Sequence, residues 1–308
     1  MNKINFGEKY DAPLALALGF FDCVHRGHAA VISSAREYAA AHGCECAVFT
    51  FSNDPGAFVG KRARIYTFEE RAEALRGLGA DVIVAAEFDS RFAALSREHF
   101  AEVLRDTLDL RAIRAGEDYT YGAQRAGDAS TLDEDFGAYG VDIGVLPLIR
   151  IAGEEEKISS TAVKEALSAG DIARANALLS EPYFMLGRVS HAHGRGGTFG
   201  FPTANIPFDS SRLAPAPGVY ATKVTVGGKV FLGGTNVGTK PTFGDEKPSV
   251  ETFILDFDGD IYGKNIKLAF YQRLRGISDF GSAEGLAAQL ERDVAHIREI
   301  FAEANDEK

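Results

Sequence analysis

The chain has few cysteines, no excess of basic residues and no long apolar run. Its three cysteines, Cys23, Cys44 and Cys46, are too sparse for a disulfide framework, so we expect reduced thiols with a structural role. A formal net charge of -11 argues against a nucleic acid or an anionic membrane as the main partner. No apolar run reaches about 18 residues and no secretory leader stands out, so we expect a cytoplasmic protein.

The pattern of the 308 residues changes once, near Tyr183. Before it, apolar strand-like runs alternate with helical patterns, which predicts an α/β domain with a parallel sheet and right-handed crossovers. After it, short strands separated by turn signals predict a small antiparallel barrel that ends in a helix. We therefore expect two domains, residues 1–182 and 183–308, with ligands beyond the carboxyl ends of the parallel strands.

Local signals place several elements. Thr67-Phe-Glu-Glu70 is a capping box that predicts the start of a helix. Gly227-Gly228 and Asp258-Gly259-Asp260 each predict a tight turn between two paired strands of the barrel. The apolar stripe of the last helix, from Leu286 to Phe301, is expected to pack on the barrel.

The most informative stretch runs from Gly19 to His28 and reads Gly-Phe-Phe-Asp-Cys-Val-His-Arg-Gly-His. It follows the apolar run 14–18 and precedes a helical pattern closed by Gly43, so it lies at a strand-to-helix turn. Backbone N–H groups and the helix dipole favour an anion there. Imidazoles at His25 and His28 on either side of Gly27 suit the phosphates of a nucleotide.

Two further stretches follow predicted strands. Residues 116–128 supply acidic groups, glycines and the aromatic rings of Tyr119 and Tyr121, on which an adenine or isoalloxazine ring could stack. Ser160 and Thr161 open a helix, where hydroxyls can donate to phosphate oxygens and Lys164 adds a cation one turn later. Left to themselves, these features are also compatible with a surface loop and with plain helix capping.

The Gly19–His28 stretch resembles the His-x-Gly-His signature of the nucleotidylyltransferase superfamily, in the form found in bacterial FAD synthetase. The resemblance implies a Rossmann-like domain in which His25 and His28 stabilise the charge of the transition state. ATP or phosphate contacts would come from the glycines and hydroxyls of these motifs and from their neighbours: Gly19, Phe21, Asp22, Gly27, Ser160, Thr161 and Lys164. Flavin contacts would come from the loop after the fourth strand, at Asp118, Tyr119, Tyr121, Arg125 and Asp128.

The chain departs from the FAD synthetase pattern at two places. Asn53 and Asp54 stand where that family usually has proline and histidine, which affects one part of the nucleotide or flavin contact. Lys164 replaces an arginine, so charge is kept but bidentate geometry is lost, and we expect weaker phosphate binding.

The second half carries another Gly-rich motif, His193 to Asn205. Gly194, Gly196 and Gly197 free backbone amides to wrap phosphates. Thr203 and Asn205 offer the oxygen ligands that Mg²⁺ accepts together with ATP phosphates and water.

With Pro202-Thr-Ala-Asn205 attached, this motif resembles riboflavin kinase, and 218–220, 236–243 and 250–252 match the same family in order. The resemblance implies a riboflavin kinase-like barrel in which Glu251 is the general base, with Arg275 on the flavin side. Phe253 stands where histidine is usual, and Ile277 lies where an acidic residue often appears, so flavin affinity is the more affected property.

Together the two resemblances imply a bifunctional enzyme that phosphorylates riboflavin with ATP and Mg²⁺ and then adenylylates FMN to FAD. Two alternatives stay open at this point. One is a relative that keeps a single activity, and the other is a flavin or nucleotide sensor without turnover. The substrates are small molecules, and the sequence does not give the oligomeric state.

Overall fold

The computed structural model describes residues 1–58, 64–151, 153, 156–190, 203–209, 211–242, 245–278 and 280–306. The chain forms two compact units, Met1–Ser160 and Thr161–Lys308. In the described residues, no helix is long and apolar enough to cross a membrane.

The first unit alternates strands and helices, as the sequence pattern predicts. Its strands are β1 (Asn2–Asn5), β2 (Tyr10–Leu18), β3 (Glu45–Phe51), β4 (Val82–Ala86), β5 (Leu108–Gly116), the short pair β6 (Thr120–Tyr121) and β7 (Gly127–Asp128), and β8 (Asp142–Leu146). Its helices are α1 (Arg26–His42), α2 (Pro55–Phe58), α3 (Phe68–Gly77), α4 (Ser90–Ala93), α5 (Arg97–Thr107) and α6 (Leu132–Asp135).

Capping interactions explain where α3 begins and where α1 ends. The Thr67 side chain accepts from the backbone N–H of Glu70, whose carboxylate accepts from the N–H of Thr67, so the predicted capping box is confirmed. Helix α1 ends at Gly43, whose left-handed φ of 66° allows its N–H to reach the carbonyl of Ala39.

Six strands of the first unit form a wholly parallel sheet in the order β1-β4-β3-β2-β5-β8. From β2 the chain moves outward through β3 to β4, and then returns to the other side of β2 to form β5. The strand order therefore reverses between β2 and β5. In open parallel sheets, the carboxyl ends of the strands at such a point border the ligand crevice.

Helix α7 (Ser160–Ala169) contains the boundary between the two units, because Ser160 is the last residue of the first unit and the rest of the helix belongs to the second unit. Helix α8 (Ile172–Leu178) follows. The strands of the second unit are β9 (Phe184–Arg188), β10 (Thr203–Ile206), β11 (Gly218–Val226), β12 (Lys229–Thr242), β13 (Asp245–Ile254) and β14 (Asn265–Arg275), and α9 (Ala283–Asp306) follows them. The strands form one antiparallel sheet in the order β10-β13-β12-β11-β14-β9. The sheet curls so that Ser190, just after β9, bridges to Asn205 in β10.

One of the two predicted turns joins paired strands and the other does not. β11 and β12 form a hairpin across Gly227 and Gly228, whose φ values of 57° and 79° both need the left-handed region. The predicted hairpin across 258–260 is wrong, because β13 pairs with β10 and β12 while β14 pairs with β11 and β9. A Gly-Asp turn signal is local, whereas strand pairing depends on which strand edges are free.

The stripe of α9 packs on the curled sheet, as the sequence predicts. Ile297 and Phe301 are buried against Phe253 of β13 and Leu255 just after it, with Leu290 and Val294 beside them. The helix thereby covers part of one sheet face.

The compact units divide at 160/161, whereas the sequence pattern changes near 183. Residues between these points bond to the sheet of the second unit: Asn176 donates to the carbonyl of Phe270 and accepts from the N–H of Tyr183. The backbone N–H of Ala216 likewise donates to the carbonyl of Leu167. The assignment of one activity to each side of 182/183 stays a prediction.

Candidate functional site

A cleft of about 780 Å³ opens at the carboxyl edge of the parallel sheet, where the strand order reverses. The turn after β2 lines it with His25, Gly27 and His28, and the loop after β5 lines it with residues 118–122. Ser159 and Ser160 close one side. Phenylalanine rings form another part of the wall: Phe20, Phe49, Phe51, Phe88, Phe92 and Phe100. The cleft is therefore polar near the histidines and aromatic elsewhere.

The turn after β2 is held in a backbone conformation that few side chains adopt. Phe21 and Val24 have φ values of 53° and 49°, although both side chains are buried. A Cβ atom on Gly19 would lie 2.7 Å from the Phe21 ring, so the turn excludes any larger residue there. Buried packing around the turn keeps a strained segment in place, as is common at functional sites.

His25 and His28 form one stacked pair at the start of α1. Their ring centroids lie 3.5 Å apart, and Nδ1 of His25 caps the helix by accepting from the backbone N–H of His28 at 3.2 Å. Because Nδ1 of His25 accepts a hydrogen bond, the proton of its neutral ring lies on Nε2. Nδ1 of His28 is inaccessible to solvent and has no hydrogen-bond partner among the described residues.

Burial controls the charge of this pair. It lowers the pKa of His25 to about 4, against the opposing charge of Asp118. It also lowers the pKa of His28 well below the usual value, and the neighbouring His25 acts in the same direction. At neutral pH the pair is uncharged, so each ring can offer a substrate oxygen one N–H donor.

Asp22 and Gly27 take different places in the motif. Asp22 is buried, and its Oδ1 accepts from the backbone N–H of Ile65 at 3.1 Å, so it fastens the turn to the segment before α3. A Cβ atom on Gly27 would lie 3.0 Å from Cε1 of His25, so glycine leaves room for the imidazole pair.

The predicted ring-stacking tyrosines differ in their surroundings. Tyr121 is a core residue whose hydroxyl donates to Asp135 and meets Thr131 Oγ1 at 2.9 Å. Burial, together with the Asp135 hydrogen bond, raises its pKa. Tyr119 is half-buried and stacks on Tyr121 at 5.8 Å, and burial raises its pKa as well.

The remaining polar residues of this loop separate into cleft and surface positions. Asp118 lines the cleft and pairs with Lys157, a residue that motif reasoning did not single out, at 3.0 Å. Arg125 lines the cleft as well, on a left-handed backbone with a φ of 59°. Asp128 instead caps a short 3₁₀ turn by accepting from the hydroxyl and the N–H of Ser130, and these hydrogen bonds lower its pKa. The cleft lining therefore includes two of these three predicted flavin contacts.

The predicted phosphate contacts Ser160, Thr161 and Lys164 lie in helix α7, which begins at Ser160. Ser160 lines the cleft, and its Oγ lies 3.6 Å from the buried Cys23 Sγ of the signature turn. Thr161 follows in α7, and Lys164 lies one turn further along the same helix. Cys23, Cys44 and Cys46 all lie in the described residues and form no disulfide there.

Asn53 and Asp54 take local structural positions. The Asn53 carboxamide both donates to the carbonyl of Phe88 at 2.9 Å and accepts from its N–H at 2.8 Å. Asp54 accepts from the N–H of Gly56 at the start of α2. The departure at Asn53 therefore joins the ends of β3 and β4, which both border the cleft.

In the second unit, the register of three strands aligns Glu251 with two asparagines. Glu251 in β13 lies directly opposite Asn205 in β10 and directly opposite Asn236 in β12. Directly opposed residues point to the same face of a sheet, and Thr203 joins that face two residues before Asn205. The result is one row of carboxylate, amide and hydroxyl groups.

Packing on both faces keeps this row in register. The next residue, Thr252, points to the other face, where its buried hydroxyl joins a chain with those of Thr235 and Thr222 at 2.9 Å each. Phe253, which replaces the usual histidine, lies on the Glu251 face and packs against α9. A one-residue slip would exchange both sets, so the register is well specified.

Asn236 is the residue of this site that motif reasoning did not single out. Its Oδ1 is inaccessible to solvent and has no hydrogen-bond partner in the described part of the chain. The only sequence signal was its place at the start of a family-like stretch.

Arg275 is committed to a partner inside the second unit. Its Nε and Nη2 donate to the buried carboxylate of Asp293 in α9, with a closest distance of 2.8 Å. Ile277, two residues further on, is exposed. The predicted flavin contact of Arg275 stays a prediction.

Gly194, Gly196 and Gly197 lie outside the described residues. So do the other residues of the motif from His193 to Pro202. The described part of that motif begins at Thr203.

Comparison with known proteins gives matches along nearly the whole chain. A family model described as FAD synthetase matches residues 7–162, and one described as riboflavin kinase matches residues 179–301. The bifunctional riboflavin kinase/FMN adenylyltransferase of Bacillus subtilis is 36% identical over 92% of this chain and 90% of its own length. The protein of the same name from Listeria monocytogenes is 37% identical over 98% of this chain and 97% of its own length.

A solved structure is similar over the same extent. The crystal structure titled macrolide-efflux protein from Streptococcus pneumoniae has a TM-score of 0.84 and 28% identity, and the match covers 97% of this chain and 99% of that one.

Proposed function

Because the chain belongs to the family of bifunctional riboflavin kinase/FMN adenylyltransferases, we infer that it phosphorylates riboflavin to FMN and then adenylylates FMN to FAD. The observation that carries this inference is the succession of both family matches along the chain, residues 7–162 and then 179–301. ATP is the co-substrate of both steps. The first releases ADP and the second releases pyrophosphate.

In the adenylyl transfer, a phosphate oxygen of FMN attacks the α-phosphate of ATP, and the bond to the leaving pyrophosphate breaks. No protein nucleophile is needed, so the site acts by positioning and by stabilising the charge that develops. Nε2–H of neutral His25 supplies one donor, and the His28 ring supplies another. The hydroxyl of Ser160 and the start of α7, with Thr161 and Lys164, support the pyrophosphate side.

The flavin ring needs an apolar surface, and the cleft supplies one. Phe51 packs edge to face on Phe88 and Phe92 along the cleft wall, with centroid distances of 5.2 and 5.1 Å, and the rings of Phe88 and Phe92 lie tilted to each other at 5.8 Å. We place the isoalloxazine ring between this wall and the half-buried Tyr119, with Asp118 and Arg125 at its polar edge.

In the phosphorylation, Glu251 takes the proton of the riboflavin 5′-hydroxyl as that oxygen attacks the γ-phosphate of ATP. Its half-buried position in the middle of the row with Asn205 and Asn236 suits a positioned general base. The chemistry otherwise needs charge neutralisation and alignment.

The row is compatible with a Mg²⁺ ion. The side-chain oxygens of Thr203 and Asn205 are ligands of the kind that Mg²⁺ accepts, and the buried, unpaired Oδ1 of Asn236 adds a further oxygen to the same face. Bound Mg²⁺ would offset the negative charge of the ATP phosphates. We further propose that both reactions take place in the cytoplasm, which cell fractionation would test.

Product analysis tests the proposal directly. The purified chain receives ATP and Mg²⁺ with riboflavin in one tube and with FMN in another, and flavins are separated by chromatography. We expect FMN followed by FAD in the first tube and FAD in the second. If the riboflavin tube yields FMN and neither tube yields FAD, only the kinase is active. If FAD forms in the FMN tube and the riboflavin tube yields no product, only the synthetase is active. If neither tube yields a product, a binding protein is favoured.

A further inference from the structure

A buried arginine lies behind the cleft and is not part of its lining. Arg71, in helix α3, is 1% exposed. Its Nη1 donates to the carbonyl of Phe20 at 3.1 Å and to Thr50 Oγ1 at 3.4 Å, and its Nη2 donates to the carbonyl of Phe51 at 2.6 Å. The Thr50 hydroxyl also donates to the carbonyl of Phe20, at 2.7 Å.

The two carbonyls that Arg71 joins belong to the catalytic edge of the sheet. Phe51 ends β3, and Phe20 follows β2 by two residues, immediately before the strained Phe21. The side chains of Phe20 and Phe51 both line the cleft, and the Arg71 guanidinium lies 4.6 Å from the centre of the Phe20 ring. Arg71 thus fixes the backbone of the signature turn relative to the aromatic wall.

Stability alone does not require a charge at this position. Burial of a guanidinium costs several kcal/mol, and apolar groups of similar volume are often as stable. Here burial lowers the pKa of Arg71 to about 10, against the opposing charge of Asp22. What an apolar replacement would lose is the pair of donors that joins two loops at a set separation.

We propose that Arg71 is a positioning residue for adenylyl transfer, which holds the turn of His25 and His28 at its working distance from the aromatic wall. The proposal rests on the inferred adenylyltransferase activity. It assigns Arg71 no contact with substrate. A misplacement of about 1 Å can lower a rate about 100-fold, so the loss of this link should lower kcat more than it changes the KM for ATP.

The test compares Arg71→Met with Arg114→Met in the full-length chain. Arg114 is a second buried arginine of the same unit, bonded to the backbone carbonyl and carboxylate of Asp142, and it does not line the cleft. We expect Arg71→Met to lower kcat for FAD formation from FMN by about 10- to 100-fold. Arg114→Met should stay within about twofold, and riboflavin phosphorylation by both variants should be unchanged, as an internal control.

Arg71→Lys separates positioning from loss of fold. Its single ammonium keeps the charge but cannot hold both carbonyls in a fork, so we expect an intermediate kcat at an unchanged melting temperature. If Arg71→Met does not fold, Arg71→Lys against Arg114→Lys decides the question. Equal kcat values in the folded Arg71 and Arg114 variants would overturn the proposal, whereas wild-type chain that makes no FAD would instead overturn the adenylyltransferase.

Discussion

The stacked histidines make the stability of the first unit sensitive to acid. His25 is 8% exposed, and burial lowers its pKa from 6.5 to about 4. Between these values the unfolded chain binds a proton that the folded chain excludes, so stability falls as the pH falls. The contribution that neutral His25 makes to stability is fully present above about pH 6.5 and is lost progressively toward pH 4. The difference between the two pKa values corresponds to about 3 kcal/mol of unfolding free energy, at about 1.4 kcal/mol per pKa unit.

The variant His25→Asn isolates this contribution. Asparagine is a strong N-cap residue, so it can replace Nδ1 of His25 as acceptor for the N–H of His28, but it does not titrate. Urea unfolding followed by circular dichroism, repeated from pH 7 to pH 4, should show a steeper loss of stability in the wild type. The two curves should separate by about 3 kcal/mol over that range.

The histidine NMR spectrum provides an independent measurement. The ring resonance that disappears in His25→Asn should keep the chemical shift of a neutral imidazole down to about pH 5. A midpoint at pH 6 or above, or parallel stability curves for wild type and variant, would refute the reasoning.

Two further predictions concern single side chains. Glu251→Gln should lower riboflavin phosphorylation by about 10²- to 10⁴-fold, while FAD formation from FMN is unchanged. Flavin chromatography measures both rates, and Glu299→Gln, at an exposed position, is the control. A kinase rate near that of the wild type would exclude Glu251 as the base. Tyr121→Phe should destabilise the chain by about 1–3 kcal/mol, because the buried Asp135 loses a donor. Calorimetry would show a lower melting temperature than for the exposed Tyr139→Phe, and equal values would mean that the hydroxyl contributes nothing.

Several elements followed directly from short stretches of sequence. The capping box at Thr67 and the glycine pair 227–228 were recognisable because caps and tight turns depend on residues close together in the chain. The same holds for the signature turn, whose strand-turn-helix context places His25 and His28 at a helix start. The family resemblance of these motifs agrees with the matches to known proteins along the chain.

Other features depended on partners far away in the chain. The sequence predicts a tight turn at 258–260 between paired strands, but only the free edge of β11 decides that β14 pairs there and not with β13. Motif reasoning treated Tyr121 and Arg275 as ligand contacts, and those contacts stay predictions; the fold adds the buried carboxylates of Asp135 and Asp293 as their hydrogen-bond partners. Asp128 caps a turn, and its predicted flavin contact stays a prediction.

The family was therefore readable from the sequence, and the geometry of the candidate sites was not. The family resemblance implies phosphate and proton chemistry at His25, Glu251 and Asn205, and these roles stay predictions. The row that places Glu251 between Asn205 and Asn236 exists only because three strands pair in one register. Arg71 likewise gains its position from two loop carbonyls, at residues 20 and 51, that the sequence does not bring together. Short-range preferences act along the chain, whereas register and buried polar partners arise only when distant segments pack.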